Sequence, residues 1–109
     1  ELKKLYFQYS TTLNTLEKIF QTLKEQNKEI EIINNKENEL LISTGIKGNF
    51  HFRIDPMTEQ LVVITPYSGI LSYYYCNEDG LWLGIHDKHD LRGLITRDWL
   101  RGYIGCPSF

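Results

Sequence analysis

A chain of 109 residues with 41% hydrophobic and 24% charged residues has an ordinary globular composition, which excludes wholesale disorder. The net charge of −2, with acids and bases interspersed, excludes nucleic acid as the main partner because no basic stripe exists to neutralise phosphates. No apolar run approaches the ~20 residues that a membrane span requires. We expect a single domain over residues 1–109, with a tail from about residue 102.

The first predicted element is a helix from Leu2 to about Gln26. Neither Gly nor Pro interrupts this stretch, and apolar residues recur at steps of three and four. The spacing predicts an amphipathic helix whose apolar face packs on another element. The apolar positions are Leu2, Leu5, Tyr6, Tyr9, Leu13, Leu16, Phe20 and Leu23.

Six short runs rich in β-branched, leucine and aromatic residues follow, each bounded by turn-forming residues. Their connections have hairpin length, which predicts an antiparallel meander, since parallel neighbours would need longer crossovers. Alternation around His51 predicts one apolar and one more polar sheet face, with His51 as a lone exposed histidine. The runs are Glu29–Asn34, Glu39–Thr44, Asn49–Ile54, Gln60–Thr65, Ile70–Cys76 and Leu81–Ile85.

A second helix is predicted to begin near Asp90, a residue type that suits the N-cap, and to run through Leu91, Leu94, Ile95 and Trp99. Helix, meander and helix are the element order of an α+β fold. We therefore predict a two-layer α–β sandwich, with an antiparallel sheet of about six strands and both terminal helices packed on one face.

Three stretches of the chain resemble the frataxin family, in the order of the predicted elements. Residues 12–20 are similar to the opening helix of eukaryotic frataxins. Residues 60–69, Gln-Leu-Val-Val-Ile-Thr-Pro-Tyr-Ser-Gly, resemble the family's signature strand, in which a glutamine precedes an apolar strand and a Ser-Pro-x-Ser-Gly turn. Residues 81–94 resemble the closing strand with its tryptophan, a His-Asp turn and the last helix. The chain thus looks like a divergent frataxin of the eukaryotic mitochondrial type.

The resemblance implies a protein of the mitochondrial matrix, or of a mitochondrion-derived organelle, that supports iron–sulfur cluster assembly. Frataxins bind iron weakly through an acidic ridge and dock through a sheet face onto the cysteine desulfurase–scaffold complex. Some members have been assigned a ferroxidase activity, but this chain lacks most of the carboxylates that such an activity would need. The alternative is a frataxin-fold structural or interaction subunit of a larger mitochondrial assembly with no iron role.

The acidic ridge implied by the resemblance is depleted in this chain. The matching stretch of the first helix carries Asn14, Lys18, Gln21 and Thr22. The weak iron candidates that remain are Glu17, Glu25, Glu29 and Glu31, with Glu37 and Glu39 around the first hairpin. Clustered carboxylate oxygens suit iron, whereas charged residues at a strand edge also keep sheets from aggregating. Both interpretations stay open.

The docking face implied by the resemblance also differs from the family pattern. Val62 stands where the family has an exposed tryptophan, and Ser72 stands where it has an arginine. Such anchors can each be worth ~2 kcal/mol or more at the centre of an interface. Their absence indicates a rewritten interface or a different partner, while Asp55, Thr58 and Gln60 are retained or conservatively altered.

Tyr74 completes the set of candidate partner-binding residues. It lies between Tyr73 and Tyr75 on a predicted strand, so it faces the opposite side of the sheet from both. Since one face has to be covered, at least one tyrosine is expected to be exposed. Without basic companions, an exposed tyrosine suits a protein partner better than stacked bases.

The densest potential metal cluster is the stretch His86-Asp87-Lys88-His89-Asp90, in which His86 and Asp87 are the less favoured metal candidates. The same residues also fit a strand end, a turn and an N-cap. Cys76 and Cys106 are expected as free thiols. No phosphate loop, nucleophile elbow or spaced metal motif occurs, and no catalytic residue is assigned.

Overall fold

The computed structural model describes residues 2–36 and 38–109, with side chains described except at residues 2–7, 35, 36 and 46. Its elements are α1 (Leu2–Lys24), β1 (Glu31–Lys36), β2 (Glu39–Ser43), a 3₁₀ turn (Gly45–Lys47), β3 (Asn49–Asp55), β4 (Gln60–Thr65), β5 (Gly69–Cys76), β6 (Leu81–Gly84) and α2 (Leu91–Leu100). The predicted α+β fold class is confirmed. Within the described ranges, no helix is long and apolar enough to cross a membrane.

The six strands form one antiparallel sheet in chain order, β1-β2-β3-β4-β5-β6. Leu40 pairs with Phe52, and Phe52 pairs with Val63, so one face of the sheet carries a continuous apolar row across β2, β3 and β4. These three side chains are fully buried. The register therefore follows from the hydrophobic alternation, since a slip of one residue would move the whole row to the other face.

Both helices cover this apolar face. The Phe20 ring of α1 lies 5.9 Å from Phe52 and 5.5 Å from the Trp99 ring of α2, measured between centroids. Trp99 in turn lies 5.8 Å from Phe50. Burying an aromatic side chain of this kind contributes about 1.5–3 kcal/mol, so these rings hold the two layers together.

The end of α1 and the start of β1 differ from the sequence prediction by two residues each. The backbone amide of Asn27 donates to the Lys24 carbonyl at 3.1 Å, and its side-chain amide donates to the Leu23 carbonyl at 2.8 Å. These bonds close the helix early. Ile30 then donates to the Asn27 carbonyl at 3.1 Å, which makes a turn where the pattern predicted strand.

The segment after α2 packs against the end of α1. The Asn27 side chain donates to the Ile104 carbonyl at 2.9 Å and accepts from the Ile104 amide at 3.2 Å. Tyr103 is buried and stacks on Trp99, with ring centroids 4.5 Å apart. Asn27 therefore joins the two ends of the helical layer.

Candidate functional site: the outer face of the sheet

The outer face is the side of the sheet opposite to both helices. Its side chains come from alternate residues of β2 to β6, arranged in rows by the strand register. One row contains Leu41, His51, Ile64 and Ile70. The next row contains Glu39, Arg53, Val62 and Ser72, and a third brings Asp55 beside Gln60 and Tyr74 beside Leu83.

The outer face is more apolar than a purely solvated sheet face. Ile70 is 71% exposed and Ile85, just after β6, is 40% exposed. Leu41, Ile64 and Leu83 are half-buried on the same side. An apolar strip that the protein itself does not cover is typical of a contact surface for a partner.

The candidate partner-binding residues converge on this face. Asp55, Gln60, Ser72 and Tyr74 are half-buried, while Thr58 is exposed in the turn between β3 and β4. Val62 is only 7% exposed although it lies outside the main core. As a short side chain between Arg53 and Ser72 on a central strand, it is shielded by its cross-strand neighbours.

Asp55 organises the turn at one edge of the outer face. Its carboxylate accepts a hydrogen bond from the Met57 backbone amide at 3.0 Å, and its carbonyl accepts from the Glu59 amide at 2.9 Å. The bond from the Met57 amide holds the pKa of Asp55 below its ordinary value. The carboxylate is thus ionised and fixed in place at neutral pH.

His51 is not the lone exposed histidine that the alternation predicts. Its Nε2 lies 2.6 Å from the Glu39 carboxylate, and its side chain is only 22% exposed. This prediction is wrong because the alternation within β3 carries no information about the side chains of the neighbouring strand. β2 places Leu41 directly opposite His51 and brings Glu39, two residues away, within reach of the ring.

The iron candidates do not converge as the candidate partner-binding residues do. Glu25, Glu29 and Glu31 are exposed, and Glu17 accepts a hydrogen bond from the Asn34 side chain at 3.1 Å. Among the residues that the structure describes, no three His, Cys, Asp or Glu side chains are placed to hold a metal ion together. Glu37 lies outside the described residues.

The loop between β6 and α2 contains a hydrogen-bonded chain that the sequence did not indicate. The His89 ring contacts the Asp87 carboxylate through Nδ1, and its Nε2 lies 2.5 Å from the Tyr73 hydroxyl. Tyr73 is fully buried in the core. Since both ring nitrogens of His89 are engaged, the ring is not free to ligate a metal, and His86 remains as an exposed residue beside it.

The pKa values of Asp87 and Tyr73 are shifted by this arrangement. The hydrogen bond from the His89 ring holds the pKa of Asp87 below its ordinary value. Burial raises the pKa of Tyr73 well above the ordinary range of a phenol. The ionised Asp87 carboxylate is therefore an acceptor for the His89 Nδ1–H, and Tyr73 stays a neutral phenol beside Nε2.

The position of the His89 ring in this series of hydrogen bonds requires glycine at residue 84. A Cβ atom at this position would lie 2.5 Å from the His89 ring, closer than such contacts allow. The Gly84 amide also donates to the His89 carbonyl at 2.8 Å. The strand therefore ends at Gly84, one residue earlier than the pattern predicted, because the loop folds back onto it.

A second connection missed by the sequence fixes the turn between β4 and β5. The buried Asp98 carboxylate accepts hydrogen bonds from the Thr65 hydroxyl at 2.6 Å and the Ser68 hydroxyl at 2.5 Å. Ser68 is thus a turn residue held by α2. The described cysteines, Cys76 and Cys106, are both free thiols, as expected.

Comparison with known proteins supports the frataxin resemblance. A sequence model of the frataxin-like domain matches residues 4–102. The fold is similar to trimeric frataxin from the yeast Saccharomyces cerevisiae, solved in complex with ferrous iron, with a TM-score of 0.75 and 16% identity over 86% of this chain and 83% of that one.

It is also similar to frataxin from Psychromonas ingrahamii, a CyaY-family protein, with a TM-score of 0.68 and 10% identity over 95% of this chain and 98% of that one. Comparison with curated protein sequences finds no match. At such low identities the structures establish the fold, and the domain match over residues 4–102 establishes the relationship: the chain belongs to the frataxin-like family.

Proposed function

We propose that this protein supports iron–sulfur cluster assembly in the mitochondrial matrix, or in a mitochondrion-derived organelle, by binding the cysteine desulfurase–scaffold complex through the outer face. The observation that carries the proposal is the uncovered apolar strip of that face, together with the gathering of Gln60, Ser72 and Tyr74 on it. Membership of the frataxin-like family supports the choice of this partner class.

The chemistry of the outer face suggests how it would bind. Val62 and Ser72 are small side chains in one row. The centre of the outer face is therefore recessed, at positions where the family carries larger side chains. Arg53 is exposed beside Val62 and supplies a cation in the same row. We therefore expect a protruding partner side chain to settle over Val62, with the cation of Arg53 at its rim.

Ferrous iron is at most a weakly bound cargo in this proposal. The yeast relative was solved with ferrous iron, and Glu17, Glu25, Glu29 and Glu31 remain near the end of α1 and the start of β1. Their separation favours diffuse attraction over a coordinated site, since tight binding needs several oxygens around one ion.

The second candidate function is that of an interaction subunit without an iron role. It is favoured by the dispersed carboxylates among the described residues and by Ile70, an isoleucine 71% exposed in the strip. In that case the outer face would bind another mitochondrial protein, and iron would have no effect.

The test is cysteine desulfurase activity of the organism's own assembly complex, with and without this protein. We expect a saturable acceleration that Ile70→Asp weakens about tenfold in apparent affinity, because it places a charge in a contact made by apolar surface. Gln60→Ala should weaken it less. Thr11→Asp, which adds the same charge on the exposed side of α1, is the matched control and should behave as wild type.

Two results would contradict the proposal. One is an absence of acceleration and of binding to the complex at micromolar concentration. The other is an equal effect of Ile70→Asp and Thr11→Asp. Anaerobic titration with ferrous iron separates the candidates, because the frataxin role predicts weak binding that falls in Glu17→Gln and Glu31→Gln, and the subunit role predicts none.

A further inference from the structure

A second surface lies at the end of the molecule where α2 ends. We call it the basic end and define it by three cations and three exposed apolar side chains: Lys47, Arg97, Arg101, Tyr67, Leu100 and Ile104. Because α2 packs on the covered side of the sheet, this surface is separate from the outer face.

Two of the cations are held in place by neighbouring groups. The Lys47 ammonium donates to the Gly102 carbonyl at 2.8 Å and lies 5.1 Å from the centre of the Tyr103 ring. The Arg101 guanidinium lies 5.8 Å from the centre of the Tyr67 ring. Fixing long cationic side chains in advance lowers the entropy that a partner would otherwise have to remove.

Gly102 allows this arrangement. A Cβ atom at this position would lie 2.3 Å from the Tyr67 hydroxyl oxygen, so any other residue would push the tyrosine away from the end of α2. The glycine therefore leaves room for the Tyr67 ring at the end of α2, beside Lys47.

The apolar members of the basic end alternate with its cations. Arg97, Leu100 and the C-cap residue Arg101 share one side at the end of α2, since they are three and four residues apart. Leu100 is 54% exposed, and Ile104, which follows the helix, is 64% exposed. These apolar side chains lie outside the core to which Trp99 belongs, so folding alone does not account for them.

The cations have no carboxylate partner among the ion pairs of the described residues. Asp98, next to Arg97 in sequence, is buried and accepts hydrogen bonds from Thr65 and Ser68. Burial is the main cause that raises the pKa of Tyr103, and the nearby Glu29 carboxylate adds to it. On a chain of net charge −2, the basic end thus carries three cations that no ion pair of the described residues neutralises.

We propose that the basic end binds an acidic segment of a partner protein that also carries apolar side chains. Carboxylates would approach Arg97, Arg101 and Lys47, while apolar groups would cover Leu100 and Ile104. The charges complement one another and steer the encounter, and the apolar groups slow dissociation. The proposal does not depend on the function proposed for the outer face, and it allows two partners to bind at once.

A protein segment fits this surface better than a membrane or a nucleic acid. The apolar side of α2 is buried in the core, so the helix cannot lower a broad apolar face into a bilayer. Three cations and a tyrosine already covered by Arg101 offer little to phosphates or bases.

The experiment measures binding of a short fluorescent peptide that repeats Glu-Glu-Leu, by anisotropy, across a range of salt concentrations. We expect binding that weakens with salt and falls about tenfold in Arg97→Glu and in Arg101→Glu. Lys18→Glu makes the same change in net charge on α1 and should bind as wild type. Leu100→Ser should weaken binding while leaving its dependence on salt unchanged.

Arg97→Glu is the decisive variant, because the exposed Arg97 side chain makes no hydrogen bond or ion pair with the residues that the structure describes. Its melting temperature is measured to confirm that the variant folds. Equal weakening in Lys18→Glu would overturn the proposal, as would no salt-dependent binding to the peptide. Binding to vesicles with anionic headgroups in place of the peptide would also overturn it and assign the surface to a membrane.

Discussion

The two faces of one sheet differ sharply in burial, although the same strands build both. On the covered face, Phe50, Phe52 and Tyr73 are fully buried under two helices. On the outer face, Arg53 is exposed and Ile70 is 71% exposed. Side chains of the covered face therefore determine stability, whereas those of the outer face remain available for the contacts proposed above.

The largest expected effect is the loss of a ring from the covered face. Phe52→Ala should lower the free energy of unfolding by about 3–5 kcal/mol, because it removes buried surface and leaves a cavity beside Phe20. Urea denaturation followed by circular dichroism measures the change. The matched control is Arg53→Ala, the next residue on the opposite face, which we expect to cost far less. Equal losses would break the distinction between the faces.

The chain from Tyr73 through His89 to Asp87 should give the next largest effect. His89→Leu leaves the buried Tyr73 hydroxyl without its hydrogen-bond partner. It should lower the free energy of unfolding by about 1–3 kcal/mol. Tyr73→Phe should lower the free energy of unfolding less, because the partly exposed His89 ring can form a hydrogen bond with water instead. A double-mutant cycle measures the coupling, with exposed His86→Leu as the control. Additive single effects would show that the hydrogen bond contributes nothing.

Capping of α2 should give a smaller, pH-dependent effect. The Asp90 carboxylate accepts from the Arg92 amide at 2.9 Å, and Asp90→Ala should cost about 1 kcal/mol. The Arg92 side chain holds the pKa of Asp90 below its ordinary 3.8, so this stability is present above pH 3.8 and is lost as the pH falls through the lowered value.

The measurement for this prediction compares urea midpoints of wild type and Asp90→Ala as the pH is lowered. The two curves should approach each other in acid, when the carboxyl is protonated in both folded and unfolded wild type. A constant difference across the acid range would contradict an ionised cap. Thr96→Ala, within the same helix, controls for a general loss of helicity.

The smallest effect on stability is expected on the outer face. Ile70→Ser should change the free energy of unfolding by no more than about 0.5 kcal/mol, because most of this side chain already lies in water. The same variant should lose most of its binding to the desulfurase complex. A loss of stability near that of Phe52→Ala would show that the outer face is part of the fold and not a contact surface.

The sequence predicted the elements well because each signal is local. Apolar spacing identified α1, alternation identified β3, and Asp90 was recognised as the cap of α2. The outer face was also predictable in outline, since residues of opposite parity on one strand have to face opposite sides. The predicted end of α1 and start of β1 were misplaced, because Asn27 forms hydrogen bonds that cannot be predicted from its residue type alone.

The α+β order of elements and the division of each strand into two faces can be read from the sequence, because both follow from periods of local backbone geometry. Which distant side chains meet depends on the tertiary structure. His89 reaches Tyr73 across 16 residues, and Lys47 reaches Gly102 across 55. Such pairs depend on the register of the whole sheet and the position of α2, which no local period encodes.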